Sequence, residues 1–229
     1  MTTAEKTKIA VFISGRGSNL GALIEACRDP SFPACIAVVL ADRVGTEGVL
    51  RAEQAGISTH VVARSDHPSR ESFEAAIVTV LRGTGTDLIC LAGFMNILSA
   101  TFVSAWREKI MNIHPSLLPA FKGTRVHERV LAAGVKITGC TVHFVTPDLD
   151  DGPIIAQAAV PVFQNDNTER LALRVLQYEH RLYPLALYLV AAKKFRIENG
   201  IVSFLSSDYI GDTGLMNPSF QFDDGCIDQ

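Results

Sequence analysis

The chain has 229 residues, 48% hydrophobic and 20% charged, which suits one globular domain with a full core and lies far from the composition of a disordered chain. A net charge of -3, a pI near 6.1 and no basic cluster denser than Lys193, Lys194 and Arg196 argue against a protein that holds nucleic acid by neutralising phosphates. Cys27, Cys35, Cys90, Cys140 and Cys226 are odd in number and lack CxxC spacing, so reduced thiols are expected rather than a disulfide framework.

At the N-terminus, Lys6 and Lys8 precede only "IAVFIS", which is shorter than the apolar segment of an export signal and runs into a glycine loop. A cytoplasmic protein is expected. Strand-length apolar runs follow at "KIAVFIS" (8–14), "CIAVVLA" (35–41), "STHVVA" (58–63), "DLICLAG" (87–93) and "KIMNIHP" (109–115). Amphipathic segments near 18–28, 46–55, 69–82 and 99–107 separate them, and this alternation predicts buried parallel strands with crossover helices. "ITGCTVHFVT" (137–146) and "PIIAQAAVPV" (153–162) predict two more strands joined by "PDLDDG", and a long helix over 168–194 closes the body. The apolar part of that helix, "LYPLALYLVAA", is too short to span a membrane and reads as core. The fold class expected is α/β: a single-domain, doubly wound, mostly parallel sheet over 1–205, followed by an irregular tail over 206–229.

Three segments carry chemistry. "SGRGSNL" (14–20) lies between a strand and a helix, where glycines permit close backbone approach and the helix start favours an anion such as phosphate. A dinucleotide fingerprint would need a third glycine where Leu20 stands, which weakens a nicotinamide oxidoreductase reading; a plain glycine turn capped by Ser18 or Asn19 is the simpler alternative. "NIHPSLLPAFKG" (112–123) ends a strand on two polar side chains, and Asn112 and His114 share a face because side chains alternate. Pro115 and Pro119 stiffen the loop beyond, and Ser116, with no adjacent base, reads as a loop-fixing residue. "TPDLDDGP" (146–153) places three aspartates in a turn, where residue type alone suggests only a solvated turn. A carboxylate within reach of His114, at the C-terminal edge of a parallel sheet, would complete an acid/base pair. His60, His67, His127, His143 and His180 are read as merely hydrogen-bonded, and no spacing suggests a metal site.

Taken together, "SGRGSN", "LAGFMNILS", "NIHPSLLPAFKG" and "VHFVTPDLDDGPIIAQ" resemble the phosphoribosylglycinamide formyltransferase family, folate-dependent enzymes of purine synthesis, over nearly all of 8–196. The resemblance implies a formyltransferase-type, Rossmann-like fold and formyl transfer from 10-formyltetrahydrofolate, a cosubstrate, to the amine of 5'-phosphoribosylglycinamide, without a metal. It implies a catalytic set of Asn112, His114 and Asp150. Gly17, Ser18, Asn19 and Glu179 would hold the ribonucleotide; Arg70, Met95, Asn96, Ile97, Leu98, Asn112, Thr146, Pro147, Asp148, Leu149 and Asp150 would line the folate site. The sequence departs from the family pattern at Asn96, where arginine is frequent, and at Asp151, where a small residue is frequent. Both bear on folate contacts rather than on the reaction.

That chemistry needs these residue types. Amine attack on a formyl carbon builds an oxyanion, and donors already aimed at that oxygen lower the barrier. Asn112 and His114 are donors, and a carboxylate beside the imidazole favours its cationic form and can relay a proton. Methionyl-tRNA formyltransferase would carry an additional RNA-binding domain, and formyltetrahydrofolate hydrolase a domain before the glycine loop. Neither is expected from this length. A non-catalytic folate-binding relative would not need the trio. The expected partners are small molecules, with no nucleic acid and no membrane, and a homodimer is a candidate assembly.

Overall fold

The structure is a computed structural model that describes residues 5–205 and the pair 216–217. In chain order the elements are β1 (Thr7–Ile13), α1 (Ser18–Arg28), β2 (Ala34–Ala41), α2 (Glu47–Gln54), β3 (Thr59–Val61), α3 (Arg70–Thr84), β4 (Leu88–Leu91), α4 (Ala100–Ala105) and β5 (Ile110–His114). They continue with α5 (Val126–Ala132), β6 (Ile137–Phe144), β7 (Ile154–Pro161), α6 (Thr168–Ala191), β8 (Phe195–Glu198), β9 (Ile201–Phe204) and β10 (Met216–Asn217).

The main sheet runs β10-β7-β6-β5-β4-β1-β2-β3. The five strands from β5 to β3 are parallel, while β6, β7 and β10 add antiparallel pairs at one side. Strands of the parallel part are apolar on both faces because both faces are covered. Ile9, Val11 and Ile13 of β1 pack toward α1 and α6, and Ala10 and Phe12 pack toward α3 and α4. This is the expected doubly wound α/β arrangement. The chain leaves β1 for β2 on one side and returns through β4 on the other, so the switch point, where such sheets bind ligands, lies between β1 and β4 at their C-terminal ends.

Helix α6 passes through Pro184 and buries a stripe at helical spacing: Leu171, Val175, Glu179, Leu182, Tyr183, Ala186 and Val190. The Tyr183 hydroxyl lies 3.1 Å from the Leu91 carbonyl and 3.2 Å from that of Met111, so α6 is fastened beneath the last residue of β4 and the first half of β5. The loop before α6 is held separately. Arg174 pairs with Asp166 through two bonds of 2.7 Å, and this guanidinium holds the Asp166 carboxyl down at about 2.

Several local expectations are corrected. The seven-residue helix α5 and the hairpin β8–β9 lie in stretches for which no element is predicted, and α6 ends at Ala191 rather than Lys194. Short elements with one or two apolar contacts give little periodicity to read. Of the tail over 206–229, only Met216 and Asn217 are described, and these pair with β7; the rest of that expectation lies outside the described residues. Cys27, Cys35, Cys90 and Cys140 are free thiols, as expected, and Cys226 is outside the described residues. Burial pushes the Cys27 thiol up to about 12, which keeps it inert. No helix among the described residues is long and apolar enough to cross a membrane.

Candidate active site

Strand β5 pairs on one side with β4 and on the other with β6, in a register that sets Asn112 opposite His143 and His114 opposite Thr141. Directly opposed residues on an antiparallel pair share a face, so Asn112 and His143 meet. The Asn112 amide lies 3.3 Å from His143 Nε2, and the opposite ring nitrogen, Nδ1, lies 2.9 Å from the Phe144 carbonyl. A carbonyl only accepts, so Nδ1 carries the proton and Nε2 offers its lone pair to the Asn112 N–H. Burial pushes the His143 imidazole toward its neutral form, which is the form this bond needs.

His114 is 5% exposed at the end of β5. Its Nε2 lies 3.0 Å from the Phe121 carbonyl, and its Nδ1 lies 3.4 Å from Asp150 Oδ2. By the same reasoning Nε2 is a donor, which leaves Nδ1 to exchange a proton beside the carboxylate. The 3.4 Å separation is an ion-pair distance, longer than a tight charge-assisted hydrogen bond. Asp150 also accepts the Gly123 N–H at 2.8 Å and stands 3.8 Å from His143 Nε2. Asn112, His114, His143 and Asp150 therefore form one connected group.

Backbone shape in two loops makes this possible. Phe121 and Asp150 have φ of 55° and 49°, left-handed values that are uncommon outside glycine and rarer still for a bulky aromatic residue. The first delivers its carbonyl to His114, and the second sits in the β6–β7 turn whose carboxylate returns to β5. Gly152 is required there. A Cβ on it would lie 1.7 Å from the Phe144 carbonyl oxygen. Lys122 and Asp151 pair across the gap between these loops, which gives the unusual Asp151 a partner. Ser116 is fully buried and donates to the Ala120 carbonyl at 2.6 Å, as expected for a loop-fixing residue.

On the other side of the switch point, Gly17 is the N-cap of α1, with φ 67°. A side chain there would meet Gly48 Cα at 2.8 Å, so glycine is needed for close packing of α1 on α2 as well as for the turn. Neither Ser18 nor Asn19 caps the helix; the N-cap makes no side-chain bond, and the first N–H groups of α1 are not closed off by one. Asn19, 7% exposed, instead donates from Nδ2 to Glu179 Oε2 at 2.7 Å, while its Oδ1 is buried without a partner. Glu179 is thus buried and takes its hydrogen bond from Asn19 across the α1–α6 contact. Burial raises its carboxyl above the ordinary range, against the Asn19 bond that lowers it. With β4 alone between β1 and β5, the glycine loop and His114 stand roughly 10 Å apart by strand spacing.

The segment after β4 displays Met95 and Ile97, each 69% exposed, while Leu98 is buried. Thr146 to Asp150 surround the β6–β7 turn, with Leu149 61% exposed. Arg70 stands in the exposed first turn of α3, and no described hydrogen bond or ion pair ties it to the others. A mostly apolar cleft of about 840 Å³ borders the same turn, lined by Val103, Phe144, Thr146, Pro147, Gly152 and Ile201. It contains none of the polar group, so the chemistry of the side chains and not the size of the cleft marks the site. Among the described residues no three His, Cys, Asp or Glu side chains are grouped to hold a metal.

His143 and the Phe121 carbonyl, which bond to Asn112 and His114, belong to this group but were not expected from the sequence. The alternation that pairs Asn112 with His114 says nothing of the partner strand, and a carbonyl has no residue signature. Two other histidines also depart from the bland reading, since His127 Nδ1 and His180 Nε2 are buried without a hydrogen-bond partner.

The profile of the formyl transferase family matches residues 7–187. The chain is 42% identical over 78% of its length to phosphoribosylglycinamide formyltransferase of Escherichia coli, covering 84% of that protein. It is 50% identical over 89% of its length to the bovine trifunctional purine biosynthetic protein adenosine-3, of which it spans only 20%. Among solved structures, glycinamide ribonucleotide transformylase 1 from Symbiobacterium toebii superimposes with a TM-score of 0.86 at 44% identity, covering 89% of this chain and 96% of that one.

Proposed function

The chain belongs to the formyl transferase family, and from that premise we propose that it transfers the formyl group of 10-formyltetrahydrofolate to the amine of 5'-phosphoribosylglycinamide, as a cytoplasmic enzyme of purine biosynthesis. The observation that carries the reading is the convergence of Asn112, His114 and Asp150, from a strand and a distant turn, at the C-terminal edge of the sheet. The amine attacks the formyl carbon, the new C–N bond forms, and the bond to the folate N10 breaks. One proton leaves the amine and one reaches N10.

Asn112 has two amide hydrogens, and His143 takes one; the other serves the formyl oxygen. The His114 Nε2–H rests on the Phe121 carbonyl, and a developing oxyanion, a better acceptor than a neutral carbonyl, takes it over. Asp150 at Nδ1 holds the ring orientation, balances positive charge on it and carries the amine proton toward N10. The phosphate lies on the α1 N-terminus at Gly17, Ser18 and Asn19, and the buried Glu179 receives the ribonucleotide's donors. The folate lies along Met95 to Leu98 and Thr146 to Asp150, covering apolar side chains that now face solvent.

Purified protein should release deformylated folate from 10-formyltetrahydrofolate only when the glycinamide ribonucleotide is added. Equal release with water alone would indicate a hydrolase, and release driven by methionyl-tRNA would indicate the tRNA enzyme; either result rejects the proposal.

Glu179→Gln gives a separate expectation. The amide keeps an acceptor for Asn19 but carries no charge to bury, so the denaturation midpoint at pH 8 should equal or exceed the wild type's. The sign follows from the raised carboxyl: its folded form holds the proton more tightly than the unfolded form, so the wild type loses stability as pH rises through that window. Ribonucleotide KM should nevertheless rise about tenfold, the loss of a charge-assisted contact. An unchanged KM would remove Glu179 from the binding site.

A further inference from the structure

Strands β4, β1 and β2 lie side by side, and the residues just beyond their C-terminal ends share one buried carboxylate. Asp42, directly after β2, has a side chain only 1% exposed. Its Oδ2 accepts the Ser14 hydroxyl at 2.7 Å and the Asn96 amide at 2.5 Å, while Arg43 flanks it with Nε 3.2 Å from Oδ1. The Ser14 oxygen in turn accepts the Met95 N–H at 2.8 Å. Backbone bonds run the same way, from Ser14 N to Gly93 O and from Asp42 N to Ile13 O.

A carboxylate this buried needs its donors, and the donors come from two different loops. Ser14 opens the glycine loop. Met95 and Asn96 belong to the segment that holds the apolar Met95 and Ile97 side chains out in solvent on an anchored backbone, an arrangement suited to a ligand rather than to a core. Asn96, at a position where the resembled family frequently has arginine, is here committed to Asp42.

We propose that Asp42 is a positioning residue that locks the glycine loop to the 95–98 segment, so that the two co-substrates meet at a fixed spacing; this rests on the formyl-transfer reading above. Asp42 acts as a spacer between loops: it touches neither substrate itself, yet losing it frees both the Ser14 and the Asn96 arm and lets both loops drift, and a misplacement of about 1 Å can cost about a hundredfold in rate.

The test is steady-state kinetics of the full chain with both substrates varied, alongside thermal denaturation. Asp42→Ala should raise both KM values about tenfold and lower kcat/KM about a hundredfold, whereas Asn96→Ala, which cuts one arm, should raise folate KM about fivefold and leave ribonucleotide KM unchanged. The reciprocal swap, Asp42→Asn with Asn96→Asp, keeps one carboxylate facing one amide and should return both KM values to within about threefold of wild type. A folded Asp42→Ala with wild-type KM for both substrates, or a swap no better than Asp42→Ala, overturns the proposal. If Asp42→Ala does not fold, Asn96→Ala and the swap decide it by the same criteria. Wild-type protein without ribonucleotide-dependent turnover overturns the functional reading itself, and the loop assignments with it.

Discussion

Asp150→Asn should lower kcat by roughly 10²- to 10⁴-fold, the range for losing an acid/base partner, while KM for either substrate changes little. The substitution preserves shape and leaves an acceptor for the Gly123 N–H, so the turn should survive. It removes the negative charge that faces His114 Nδ1 at 3.4 Å. It also replaces an atom that only accepts with an amide that can present either a donor or an acceptor, so the imidazole is no longer held in one tautomer. His114→Ala should be about as damaging. Because the two act as a unit, Asp150→Asn combined with His114→Ala should be little worse than either alone. The measurement is a double-mutant cycle on kcat. Independent multiplication of the two losses would show that the pair does not operate as one.

Asn112→Ala should lower kcat by roughly 10²- to 10³-fold, the cost of removing one preorganised oxyanion donor. His143 offers the sharper comparison. Its neutral imidazole, protonated on Nδ1 toward Phe144, fixes which N–H of Asn112 is spent and which is left for the formyl oxygen. His143→Gln, which leaves Asn112 in place but less constrained, should lower kcat only about tenfold and add little to Asn112→Ala. A loss in His143→Gln as large as in Asn112→Ala, and additive to it, would mean that His143 acts on the substrate independently. Thermal midpoints must accompany both, since His143 is 2% exposed and packs within β6.

Local pattern was sufficient for the architecture. The alternation of apolar runs and amphipathic segments placed five strands and four helices within a few residues, because a strand covered on both faces must be apolar throughout and a covering helix must be apolar on one. It also placed Asn112 and His114 on one face, since a period of two is a property of the strand itself. The resemblance of four motifs supplied Asp150, which composition and turn propensity could not distinguish from a solvated aspartate.

What local pattern could not supply was whatever depends on register and on loops that meet. Asn112 finds His143 31 residues away because β6 pairs antiparallel with β5 in one particular alignment; a shift of one residue would turn His143 to the other face. Asp150 reaches His114 through a left-handed residue and a glycine that a neighbouring carbonyl leaves no room to replace. Asp42 binds Ser14, 28 residues away, and Asn96, 54 residues away, so none of the three is informative alone. Glu179 stands between these cases. It occupies the apolar stripe of α6, four residues after Val175 and three before Leu182, so helical spacing puts it on the buried face, although only the resemblance singled it out. Its bond to Asn19 was not legible, because that bond exists only once α1 and α6 are packed against the same face of the sheet. Periodicity is a property of one segment, whereas a polar site is a property of distances between segments, and only the closed fold sets those.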